Sequence, residues 1–129
     1  MTLYVSQAHI NARLAGSLAH LDTGSAHARI RVYGGTQPPA GGAASTMLAE
    51  IVLSKPAGVI AGSVLTLTQE EDTLIARTGI ATWARVINGN GDIAFDCDVS
   101  DAAGGGVLKL STTQLYAGGK LPLQSAVIG

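Results

Sequence analysis

The chain changes its hydrophobic period once, early. Ile10, Leu14, Leu18 and Leu21 recur at spacings of four, four and three, while His9, Asn11, Arg13 and His20 fall largely between them. That is the pattern of a helix burying one apolar stripe. After Asp22-Thr23-Gly24-Ser25 the period drops to two, with Ala28, Ile30 and Val32 on one side and Arg29, Arg31 and Tyr33 on the other. One element cannot satisfy both periods. The switch therefore predicts an amphipathic helix over about 6–20, capped by Ser6, then a turn, then strands from about 27 onward.

Beyond the turn the pattern never returns to the helical period. Further strands are expected at 47–53, 59–68, 73–77, 80–87, 92–99, 107–110 and 121–128, each bounded by Gly, Pro or acidic turn residues. The stretch 34–46, with Pro38-Pro39 and Gly41-Gly42, has no periodicity and reads as the longest, surface-exposed loop. Asn88-Gly89-Asn90-Gly91 is the clearest hairpin signal. The strand after it alternates cleanly, with Ile93, Phe95, Cys97 and Val99 toward a core and Asp92, Ala94, Asp96 and Asp98 away from it. Trp83 lies in a strand with small or apolar residues on both faces, so periodicity does not say which face is inward. Pro122 cannot donate a ladder bond, so the last strand either lies at an edge or begins its pairing after the proline. Strand number and spacing suit a mainly β fold, an antiparallel β-sandwich with one N-terminal α-helix, forming a single domain over residues 1–129.

Composition narrows the partners. Hydrophobic residues make up 47% of the 129 positions and charged ones only 13%. Such a surface is weakly solvated and is expected to be partly covered in the working state. A net charge of -1 provides no field to concentrate nucleic acid or an anionic membrane. Cys97 is alone, which excludes an intrachain disulfide, and it reads as a small buried hydrophobe. No basic-then-apolar leader opens the sequence and no run approaches a membrane span, so a soluble chain without a classical export signal is expected.

Motifs that carry chemistry are sparse. Asp22-Thr23-Gly24-Ser25 resembles the signature of the catalytic carboxylate in aspartic proteases. A retroviral-type enzyme would use Asp22 twice, once from each copy, because paired carboxylates share one proton. Here, however, the motif follows a helical rather than a strand pattern, and the chemistry of a plain turn explains it. Asp92, Asp96, Asp98 and Asp101 lack the Gly-anchored loop that wraps ligands around calcium, and read as a solvated acidic face. His9, His20 and His27 show no zinc spacing and read as surface or helix-end residues. Neither a nucleophile elbow nor a phosphate loop occurs. Trp83 could be a sugar-stacking platform but reads better as a core or interface anchor. No catalytic residue, cofactor or metal is expected.

Four segments carry a resemblance: Ala28 to Gly35 followed by a Pro-containing loop, Ala81 to Gly89, Asp96 to Ser100, and Leu110 to Gly119. Together they resemble small proteins encoded among the head genes of tailed bacteriophages, including cement proteins of the Bordetella phage type. The resemblance covers most of the chain after Ala28. It implies a jelly-roll-like sandwich that decorates the outside of a capsid as a homodimer or homotrimer, with the major capsid protein and itself as partners. Such a protein is made in the host cytoplasm and resides on the capsid exterior. No functional residue transfers, because the matching segments are strands rather than a site. The alternatives are the Asp22 protease and a carbohydrate-binding or tail module. Within the chain, the N-terminal arm Thr2, Leu3 and Tyr4 is the expected contact segment, since apolar residues ahead of a helix cap need a partner; a staple onto the protein's own helix is the other explanation.

Overall fold

The computed structural model describes residues 3–70 and 73–128. Helix α1 (Gln7–Leu21) begins where Ser6, in extended conformation, accepts a hydrogen bond from the His9 backbone N–H. It buries Leu14 and Leu21. Strands follow in the order β1 (Arg29–Tyr33), β2 (Met47–Ala61), β3 (Val64–Gln69), β4 (Thr73–Leu74), β5 (Gly79–Ile80), β6 (Trp83–Ile87), β7 (Ile93–Asp101), β8 (Leu108–Leu110), β9 (Gln114–Leu115), β10 (Lys120–Leu121) and β11 (Leu123–Ile128). The fold is mainly β with one N-terminal helix, as the change of period predicts.

The larger strands are not clearly divided into two sheets. They close into a seven-stranded barrel in the order β1-β2-β3-β11-β8-β7-β6, with β1 and β6 also paired, while β4/β10 and β5/β9 form two small ladders. Three details of the pairing refine the strands expected from the sequence. First, β11 pairs with β3 and with β8, so it is interior and not an edge; its ladder starts after Pro122, the residue that cannot donate. Second, the stretch 59–68 is not one strand. It is broken by Gly62 and Ser63, both at positive φ as a tight two-residue hairpin turn demands, and its halves pair with each other through Val59 and Thr66. Third, β7 and β8 run parallel, with Val99 opposite Leu108.

Parallel neighbours usually require a crossover of a dozen or more residues. Here segment 102–107 suffices because Gly104 and Gly106 let the chain fold back closely onto β7. A Cβ on Gly106 would stand 2.7 Å from the Ser100 backbone nitrogen, and one on Gly104 2.6 Å from the Ser100 Cβ. Asp101 Oδ1 accepts from the Ala103 and Gly104 amides, Ser100 Oγ from Gly106, and Asp98 Oδ1 from Val107. The aspartates read as a solvated acidic face thus hold this loop at two of their members.

Inside the barrel, Ile30, Val32, Ile51, Leu53, Leu65, Val86, Leu108 and Leu110 are buried, joined by Cys97; Phe95 and Val99 pack against them half-buried, whereas Ile93 is exposed. The helix closes one end of the barrel, where the Gly62-Ser63 turn and Ile128 lie, and the two small ladders cover the other. The expected strands at 73–77 and 80–87 are shortened accordingly. Residues 79–80 leave the barrel to pair with β9, and only Trp83–Ile87 joins it.

Candidate interaction surface

The outer wall of β1, β2, β6 and β7 carries a cross-strand row of Glu50, Arg31, Arg85 and Asp96. Opposite charges flank the central like pair. Glu50 accepts from Arg31 Nε at 3.0 Å and from Arg29 at 3.4 Å. Arg85 and Asp96 are nearly dry, at 10% and 8% side-chain exposure, and bond through both carboxylate oxygens at 2.7 and 3.0 Å. The hydrogen bond to Asp96 raises the Arg85 pKa above its ordinary value against the opposing pull of burial. Asp96 therefore departs from the expected solvated face.

What dries this wall is the loop 34–46. Although mostly exposed itself, it folds over the outer face: the Gly42 carbonyl accepts from Arg85 at 2.7 Å and the Gly34 carbonyl from Trp83 Nε1 at 3.2 Å. Beneath it Trp83, 1% exposed, stacks on Tyr33 at 4.4 Å between centroids and meets the Arg85 guanidinium at 5.4 Å. All five residues of β6 are buried, Ala84 and Val86 by the barrel core and Trp83 and Arg85 beneath the loop. The ring is occupied by these neighbours and offers no open stacking platform.

Asp22 caps the end of α1, and its carboxylate accepts the Ala57 amide at 3.0 Å. Lys55 Nζ donates to the carbonyls of Asp22, at 3.0 Å, and Gly24, at 2.6 Å. The Asp-Thr-Gly-Ser segment is thus held as a helix-to-strand turn, by a lysine that the sequence patterns did not single out. His20 lies at the helix end beside Asn88, His9 is exposed in the first helical turn, and His27 Nδ1 lies 2.8 Å from the Leu53 carbonyl and 3.2 Å from Glu70. Among the described residues no three His, Cys, Asp or Glu side chains gather as a metal site would require. Burial pushes the Cys97 thiol up to about 12, helped by Asp98 and Asp96.

Exposed apolar side chains instead collect at the two ends of the barrel. At the helix end, Leu3 is 85% and Tyr4 79% exposed; Thr2 lies outside the described residues. Val5, next in line, shares a cavity of about 440 Å³ with Ile10, Leu14 and Ile128, so the residue placed to staple the helix is Val5 rather than Leu3 or Tyr4. At the opposite end Leu74 and Ile80 project from the small ladders and Tyr116 from the segment just after β9. Sequence reasoning missed these three, because exposure of a residue in or beside a two-residue ladder depends on which segment covers it. A further row on the barrel wall, Val59, Thr66 and Val127, is also exposed.

Comparison with protein-family models, with curated proteins and with solved structures produced no match.

Proposed function

We propose that this chain is a non-enzymatic virion protein that attaches to the outer surface of a tailed-phage capsid and stabilises it, binding the major capsid protein lattice as a homo-oligomer. The jelly-roll kinship implied by the four resembling segments belongs to this proposal. The observation that carries it is the placement of exposed apolar side chains at both ends of the barrel, Leu3 and Tyr4 at one and Leu74, Ile80 and Tyr116 at the other. Such positions suit a block that touches neighbours on two sides. The closed barrel wall has no free edge to add strands to, so association through that wall runs through side-chain surfaces. Low charge fits the same role, because little desolvation of ions opposes close packing. Repeated weak contacts on a symmetric shell then gain from high effective concentration.

The test mixes purified protein with undecorated phage heads and sediments them, scoring saturation stoichiometry and the heat resistance of the shell. Binding that saturates at a simple ratio to capsid subunits, with heads surviving a higher temperature, is the expected outcome. Absence of co-sedimentation at any concentration would sink the proposal. Labelled protein found on the tail instead would transfer the role to the tail-module alternative.

A further inference from the structure

The helix end contains an unfilled hole beside knobs that stand exposed among the described residues. The hole is the cavity of about 440 Å³ between α1, the β2–β3 turn and the end of β11, walled by Val5, Ile10, Leu14 and Ile128, with Arg13 and Ser63 among its polar lining. The knobs are Leu3 and Tyr4, 85% and 79% exposed. They do not fill the hole. Leu3 and Tyr4 line a separate recess with Ser6 and His9, whereas the hole is lined from the Ile10, Leu14 and Ser17 face of the helix. Extended backbone at Ser6 directs the arm off the helix end, and Val5, which borders both recesses, separates them.

We infer that the N-terminal arm is exchanged between two copies of this chain, Leu3 and Tyr4 of each seating in the α1–β2/β3–β11 cavity of the other. Because knob and hole adjoin on either side of Val5, one two-fold axis near that residue satisfies both at once, an isologous contact that closes at two copies. The surface involved is sufficient. A Tyr side chain carries about 150–250 Å² and a Leu somewhat less, so two arms and the two cavities they cover remove on the order of 1,000 Å², where specific interfaces begin. The dimer deepens the homo-oligomer part of the proposed function, and specifies dimer over trimer.

Sedimentation equilibrium on the full chain tests this. The wild-type chain should dimerise reversibly. Leu3→Ser with Tyr4→Ser should weaken the dimer at least about 10-fold, since each 1.4 kcal/mol of lost burial is a factor of ten. Filling the hole by Ser17→Phe should weaken it likewise, with the circular dichroism spectrum and unfolding midpoint retained as evidence that the barrel is intact. A chain carrying Tyr4→Cys and Ser17→Cys, oxidised with diamide, should run as a covalent dimer on a non-reducing gel. A monomeric wild type, a dimer indifferent to the arm substitutions, or a cross-linked monomer in which the arm has folded onto its own cavity would each overturn the exchange. Failure here is distinguishable from failure of the capsid role. Heads that bind a chain whose dimer ignores the arm would leave that role standing alone, and an arm-dependent dimer that ignores heads would leave only the exchange.

Discussion

Removing Asp96 should expose how much the fold depends on the covered wall. In Asp96→Ala the Arg85 guanidinium loses its bonds at 2.7 and 3.0 Å and keeps only the Gly42 carbonyl and the neighbouring Trp83 ring, at a site where its own side chain is 10% exposed. Hydrogen bonds involving a charged group contribute about 1.5–3 kcal/mol each, and breaking a buried pair on one side costs about 3–5 kcal/mol. Because the carbonyl and the aromatic ring remain, the lower end applies, and the expected loss is about 3 kcal/mol. Replacing both partners with apolar residues, as in Arg85→Met with Asp96→Leu, removes the stranded charge together with its penalty, so this double variant should lie within about 1 kcal/mol of wild type. Urea unfolding followed by fluorescence of Trp83, the one tryptophan, reads both at a common slope. The reasoning fails if Asp96→Ala changes stability by less than about 0.5 kcal/mol, or if the double variant is no more stable than the single one.

Three further outcomes are expected. Gly106→Ala should cost about 1–3 kcal/mol of overpacking, because its Cβ would meet the Ser100 backbone, whereas Gly105→Ala, with nothing within 4 Å, should stay within about 0.5 kcal/mol; equal effects in urea unfolding would contradict the account of the parallel connection. Ser63 sits at φ 65 in the β2–β3 turn, a conformation costing a non-Gly residue about 1–2 kcal/mol, so Ser63→Gly should raise the unfolding midpoint, and a lower one would count against that turn. Native Cys97 should resist iodoacetamide at pH 8 and react once the chain is unfolded. Its folded pKa of about 12 lies above the unfolded value of about 8.5, so the thiol's contribution is intact below the unfolded value and stability falls as pH rises between the two, by at most about 1.4 kcal/mol per unit, a slope that Cys97→Ala should lessen.

The extent to which the fold was legible varies from element to element. The helix followed from spacing, and its Ser6 cap, the turn at Asp22 to Ser25 and the hairpin at 88–91 from residue type, the hairpin closing where Asn88 Oδ1 accepts the amides of Asn90 and Asp92. The inward face of β7 was readable at Cys97 and faded toward Ile93, beyond the reach of the packed core. Gly62-Ser63 was available as a hairpin signal but was masked by the apolar run around it. The exposed arm was visible as apolar residues ahead of a cap. Nothing local marked the cavity beside it, which is assembled from α1, the β2–β3 turn and β11.

By itself, then, the order of apolar residues determined the kind of the helix and of the longer strands, because period is a property of the local chain: 3.6 before Asp22, two after it. Local turn chemistry likewise determined where many elements stop. Tertiary structure decided which strands are neighbours, since alternation looks the same in a sandwich and in a closed barrel, and register is set by contacts distant in sequence. It also decided the burial of Arg85, Asp96 and Trp83. Their faces point away from the barrel core and are dry only because loop 34–46 returns across them, and no period within β6 or β7 can encode the position of a segment some 40 residues away.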